Sequence, residues 1–289
     1  MTEATQLSGE SVLLERPAAN DPVRQSALVY ALGTLAVDFG TQARYQAFVQ
    51  AMPVGRNDPE DLAQLLEFIE TKPYYARSLT WIVTRDGHPM YAIVPSGPYA
   101  ALAYEFLVSA LHGTMQGQVT MNSFPGVIDG STTLRSGLTV PVIEPATRGM
   151  YSWRKDELVK NALGPRPDDD LELQEAFDKE VARLDSVLAR MCRDFRNLGM
   201  SGMERALNFS TTNAVKAVHV FAKTAGMQLD TIVVQRSLEG GPGTECYYII
   251  MGFFTPRNMN GTNMVARFTV DVAGVIPVSV GPVRYWSQR

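Results

Sequence analysis

From Arg267 to Trp286 the chain reads RFTVDVAGVIPVSVGPVRYW. Phe268, Val270 and Val272 alternate with Thr269 and Asp271, so the first run buries one face as a strand. Ala273-Gly274 permits a turn. Ile276, Val278 and Val280 then alternate again, and Pro277 points to a sheet edge. The tail Val283-Arg284-Tyr285-Trp286 is too apolar and aromatic for a frayed terminus, so it is expected to dock. Two alternating strands require further strands beside them and an apolar layer behind them.

The segments upstream supply both. Leu229 to Arg236, Cys246 to Phe254 and Val265 to Val272 read as a meander, with Pro256 to Thr262 as a hairpin loop around Asn260-Gly261. Before it, Phe177, Val181, Leu184, Leu188, Met191, Phe195 and Leu198 recur in steps of four and three, and Gly199 suits a C-terminal cap. Such a stripe marks either an internal helix pair or the seam of a homodimer. Ser201-Gly202-Met203-Glu204 is a capping box that opens a partner helix along Leu207, Ser210, Ala214, Ala217 and Phe221. An antiparallel sheet backed by these two helices hides both apolar faces.

The first half mixes periods. Asn20-Asp21-Pro22 followed by Leu28, Ala31, Leu32 and Leu35 predicts a helix, and Tyr45, Phe48 and Met52 a second. Asp58-Pro59 is read as cap and first helical residue of a third, carrying Leu62, Leu65, Leu66 and Ile69. Leu79 to Thr84 and Pro89 to Val94 flank Asp86-Gly87 as a hairpin. Ser96-Gly97-Pro98 starts a helix along Ala100, Tyr104, Leu107 and Leu111, and Val119 to Ile143 yields two or three strands. Gly164-Pro165-Arg166-Pro167-Asp168-Asp169-Asp170 denies regular structure and is read as linker and helix cap. The expected class is α+β, with antiparallel sheets packed against helices. The division is a polar leader over 1–20, an α+β half over 21–163, a linker over 164–170 and a C-terminal half over 171–289.

Composition narrows the function classes. A hydrophobic fraction of 45% with 19% charged residues describes an ordinary globular chain, and a net charge of -4 leans away from nucleic acid. No run reaches the ~18 to 20 apolar residues of a membrane span, and the start lacks a secretory pattern, so a cytoplasmic location without membrane partners is expected. Cys192 and Cys246 form neither a disulfide framework nor a zinc spacing. His88, His112 and His219 share no metal-binding helical face, so no metal or cofactor is expected. Ser201 is a cap rather than a nucleophile, and Glu239 to Thr244 lacks the ending of a phosphate loop. Two polar clusters remain. Arg148, Tyr151 and Trp153 gather a guanidinium and two aromatic rings; Asn208, Thr211, Thr212 and Asn213 place polar groups on a helix, where they fix a tertiary contact or grip a peptide backbone.

Five blocks carry a resemblance: LVYALGTLAVDFGT at Leu28–Thr41, YAIVPSGPYA at Tyr91–Ala100, VPVIEPATRGMYSW at Val140–Trp153, RNLGMSGMERALNFSTTNA at Arg196–Ala214, and the closing RFTVDVAGVIPVSVGPVRYW. In this order they resemble the C-terminal domain of unknown function of the patellamide-type cyanobactin maturation proteins PatA and PatG. The resemblance implies a pathway that cleaves, heterocyclises and macrocyclises ribosomal peptides, and a free-standing version of a domain otherwise appended to a protease. It carries over no catalytic residues. The family pattern has a cysteine pair before the third-from-last strand, where this chain has Cys246 alone after Gly240, Gly241 and Gly243.

The resulting expectation is a non-catalytic accessory protein that binds a ribosomal precursor peptide or a peptide-processing enzyme. Arg148, Tyr151 and Trp153 are the leading binding residues, with Arg284, Trp286, Asn208 and Asn213 behind them. Two other readings stay open: a peptide-modifying enzyme using Cys246, His219 or a carboxylate, and a structural module dimerising through the Phe177–Leu198 stripe.

Overall fold

The computed structural model describes residues 27–168, 170–193, 197–212, 220, 223–224, 226–255 and 263–288. The first sheet comprises β1 (Leu28–Asp38), β2 (Thr80–Arg85), β3 (His88–Ile93), β4 (Val119–Thr133), β5 (Thr139–Pro145) and β6 (Tyr151–Arg154). Its order is β1-β2-β3-β5-β4-β6, and β1 also pairs with β4, so the first five strands close into a ring. Closure leaves those five without a free edge. The sheet is mixed rather than antiparallel throughout, because β3 and β5 run parallel.

The helix expected around Leu28 to Leu35 is β1 instead. Its first half, Leu28 to Gly33, pairs with β4, and its second, Thr34 to Asp38, pairs with β2. Gly33 sits at the changeover, where an added Cβ would lie 2.4 Å from the Thr84 carbonyl oxygen. Val29, Tyr30, Ala31 and Leu32 are all buried, so the strand shows no alternation and its leucines fall by chance at helical spacing.

Between β1 and β2 the chain inserts α1 (Gln42–Ala51), α2 (Leu62–Thr71) and a 3-10 turn, Pro73–Ser78. The cap of α2 is Asp61, whose carboxylate accepts from the Ala63 and Gln64 amides, not Asp58. The helix α3 (Ala100–Met115) separates β3 from β4. These helices share one core with β1 to β5, including Phe48, Leu65, Ile69, Trp81, Leu107 and Phe124. The Trp81 indole N–H donates to the Ala76 carbonyl at 2.8 Å, tying the 3-10 turn to β2.

The helix α4 (Lys155–Leu163) leads through Gly164–Asp170 into α5 (Leu171–Arg193), whose first-turn amides of Glu172 and Leu173 donate to the Asp170 carboxylate. The next helix is α6 (Gly202–Thr212), and its capping box is formed: Ser201 Oγ accepts from the Glu204 amide, and Glu204 Oε2 accepts from the Ser201 amide. The second sheet then runs β7 (Gln228–Arg236), β8 (Cys246–Phe254), β9 (Asn263–Asp271) and β10 (Val278–Gln288), antiparallel, in the order β10-β9-β8-β7. Ile249, Phe253, Ala266, Phe268 and Val270 share a core with Leu184 of α5, Ala206 of α6 and Trp153 of β6. The expected hairpin loop at 256–262 lies outside the described residues, as do Phe195, Asn213, Ala214, Ala217, His219 and Phe221.

The aromatic tail is the second half of edge strand β10. It rejoins β9 at Arg284 after a register shift that follows Val280. Val283 and Tyr285 pack on the core, leaving Arg284 and Trp286 exposed on the opposite face.

Candidate functional site

The residues singled out in the sequence disperse. Arg148 lies exposed in a 3-10 turn, Thr147–Gly149, with its guanidinium carbon 5.9 Å from the Tyr99 ring centre. Tyr151 is exposed on β6, whereas Trp153, two residues on, is only 6% exposed and belongs to the second core. Arg284 and Trp286 share the outer face of β10. Asn208 is buried, and its Nδ2 donates to the Tyr30 carbonyl at 2.8 Å, so the backbone it grips is the chain's own. Thr211 donates to the Leu207 carbonyl, and the Thr212 hydroxyl lies 2.6 Å from the Tyr30 hydroxyl.

Gly199 takes part in the same seam; the end of α5 that it is expected to cap lies outside the described residues. Its carbonyl accepts from the Tyr30 amide at 2.8 Å, and its φ of +72° is one that L side chains rarely adopt. The Tyr91 hydroxyl donates to the Leu198 carbonyl at 2.7 Å, and Arg85 donates to the Asn197 carbonyl at 2.7 Å. These contacts weld the segment at 197–199 to the first sheet.

A concave site that none of these residues lines lies elsewhere, between α2, the 3-10 turn at Pro73–Ser78 and α3. It is an open groove of about 620 Å³. Ile69, Ala76, Ala101 and Val108 give it apolar surface, Tyr74 and Tyr104 add rings, and Arg77, Glu70, Glu105 and His112 add charge and polarity. Tyr74 is 64% exposed, while the adjacent Tyr75 packs against the first core, so one residue of the pair anchors the wall and the other is presented to solvent. The Arg77 guanidinium carbon lies 5.9 Å from the Tyr104 ring centre. Burial pushes the Tyr104 phenol up from its ordinary pKa against the opposing pull of Arg77, so it stays a neutral donor at physiological pH.

His112 is the polar hinge of the groove. Its Nδ1 lies 3.2 Å from Glu70 Oε1, bridging α3 to α2, and its Nε2 lies 2.8 Å from the Gln116 amide nitrogen. A neutral imidazole satisfies both contacts: Nδ1–H donates to the carboxylate and Nε2 accepts from the amide. The arrangement, an apolar trough with a few convergent polar groups, is the usual form of a small-ligand or peptide site. In the sequence His112 shares no metal-binding helical face with another histidine, and Tyr74 and Tyr104 do not read as a pair. Their one local signal is the doublet Tyr74-Tyr75 directly after an amphipathic helix. Among the described residues there is no group of three or more His, Cys, Asp or Glu side chains placed to hold a metal ion, and no helix long and apolar enough to cross a membrane.

Comparison with known proteins gives a consistent picture. Residues 28–130 match the family model described as PatG Domain, and residues 174–286 match that described as PatG C-terminal. A solved structure titled "PatG Domain of Unknown Function" is 35% identical over 91% of this chain and all of its own, with a TM-score of 0.81. A comparison with curated proteins finds no match.

Proposed function

Starting from the fact that the chain belongs to the PatG domain family, we propose that it is an accessory recognition protein of a cyanobactin-like peptide maturation pathway, holding a peptide segment in the groove between α2 and α3. The observation that carries this reading is the groove itself, with Tyr74 presented to solvent on one wall and Tyr104 on the other. A trough of about 620 Å³ takes a few side chains of an extended or turned peptide. The tyrosines are rigid anchors with a polar tip, while Arg77, Glu70 and Glu105 read the charges of the bound segment. Holding the substrate raises its concentration near a separate processing enzyme, which requires no chemistry from this chain. Arg148 on Tyr99 extends the recognition surface towards the start of α3.

Calorimetric titration of the full chain with the ribosomal precursor peptide of its own pathway tests the reading. Tyr74→Ala and Tyr104→Ala are each expected to weaken binding about fivefold or more, the usual loss when an aromatic anchor is truncated. Absence of binding by the wild-type chain, or binding unaffected by both variants, overturns it.

One observation favours a second reading. Glu70 orients His112 through Nδ1, as a carboxylate orients the base of a hydrolytic triad, and Ser109 lines the same groove. Against it, the Gln116 amide occupies Nε2, the atom such a base would use. Mass spectrometry of precursor incubated with the chain alone decides between the two: a mass change lost in His112→Ala supports the enzyme, and an unaltered peptide supports recognition.

A further inference from the structure

The second sheet turns one face to α5 and α6, and on the other, which is uncovered among the described residues, β9 and β10 set Arg267 directly opposite Arg284. Directly opposed residues of an antiparallel pair have Cβ atoms about 4.5–5.5 Å apart, and like charges in that position destabilise the sheet. Arg267 is partly settled. Its guanidinium carbon lies 4.2 Å from the Tyr248 ring centre, and its Nη2 is 3.8 Å from Glu239 Oε1. Arg284 is exposed and makes no ion pair among the described residues.

The register shift after Val280 opens a depression beside the two arginines, at Gly281-Pro282. It holds about 170 Å³, lined by Arg267, Arg284, Glu239, Thr269, Val280 and Cys246 among others. Two guanidinium groups against one carboxylate leave a single positive charge, which matches a monoanion better than a dianion. The planar guanidinium fork fits a planar carboxylate with two parallel hydrogen bonds. Two residues beyond Arg284 on the same face, Trp286 is 41% exposed and gives an apolar shelf beside the charge. Glu239 stands on the glycine-rich connection between β7 and β8 and lines the same depression, with its carboxylate 3.8 Å from the Arg267 guanidinium.

We propose that Arg267 and Arg284 form a binding site for a peptide carboxylate, from a chain end or an acidic side chain, with Glu239 as its internal competitor. The site lies in the opposite half of the molecule from the groove, and its existence does not depend on that reading.

Nitrogen-15 NMR of the full chain, following the arginine Nε signals and the amides of Thr269 and Val280, tests it. The probes are acetyl-Ala-Val-Ala with a free C-terminus, the same peptide amidated, acetyl-Ala-Asp-Ala amide, and inorganic phosphate. At least one carboxylate peptide is expected to shift these signals saturably, and the tighter of the two identifies the source of the carboxylate. Arg284→Ala, with an unchanged circular dichroism spectrum, is expected to weaken that binding about tenfold, as loss of a charge-assisted pair does. Glu239→Gln is expected to tighten it severalfold, while a groove substitution, Ala101→Trp, leaves it unchanged. Equal shifts from the amidated peptide, tighter binding of phosphate, or wild-type affinity in folded Arg284→Ala overturns the proposal.

Discussion

Asn208 and Tyr30, 178 residues apart, are joined by a buried hydrogen bond of 2.8 Å from the amide Nδ2 to the backbone carbonyl. The bond ties α6, in the layer that covers the second sheet, to the first strand of the closed ring. It is therefore a contact between the halves of the molecule. Asn208→Ala leaves the Tyr30 carbonyl without this donor, which costs about 1–3 kcal/mol. Thermal unfolding should show a melting temperature lower by about 2–4 °C for each kcal/mol lost. A melting temperature equal to wild type would mean that the seam contributes little to stability.

Gly199 makes a sharper prediction at the same seam. A Cβ there would lie 2.1 Å from the Tyr30 carbonyl oxygen, and the φ of +72° disfavours any side chain. Gly199→Ala combines backbone strain of about 1–3 kcal/mol with a clash against backbone rather than a flexible side chain, so its cost should exceed that of Asn208→Ala. Urea unfolding of the two variants side by side measures the order.

Alkaline pH loosens the same region. The Tyr91 phenol, pushed up to about 12 by burial and secondarily by the negative charge of Glu204, donates to the Leu198 carbonyl in its neutral form. The folded pKa is above the unfolded value of 10.0, so the stabilisation is fully present below pH 10 and is lost as pH rises towards 12. In that window the unfolded state releases a proton that the folded state retains, and stability falls by up to about 1.4 kcal/mol per pH unit for this group. Tyr91→Phe should start less stable, having lost a hydrogen bond, and decline less steeply between pH 10 and 12. Melting curves of the two proteins across that range measure the difference in slope.

Local chemistry made parts of this architecture legible in the sequence. Asp86 and Gly87 adopt φ of 50° and 77°, the positive values that let Asp-Gly close the β2–β3 hairpin. Ser201 and Glu204 exchange the two hydrogen bonds that their spacing promises. Leu28 to Leu35 failed for a physical reason: β1 is buried on both faces, so the alternation that marks a half-exposed strand is missing. Trp153 looked like an anchor because a lone sequence does not tell an exposed tryptophan from one that fills a core. The groove was out of reach altogether. Glu70 and His112 lie on helices separated by a hairpin, and the contact between α2 and α3 exists only in the folded chain.

The central claim is that the groove between α2 and α3 holds peptide. Ala101 is exposed, lies in the first turn of α3 and lines that groove, so Ala101→Trp puts a large ring into the trough without disturbing the core. Calorimetric titration of wild type and this variant with the precursor peptide is the most direct measurement. A saturable heat in wild type that disappears in a variant with an unchanged melting temperature is the predicted result. Equal affinity in both proteins would contradict the account.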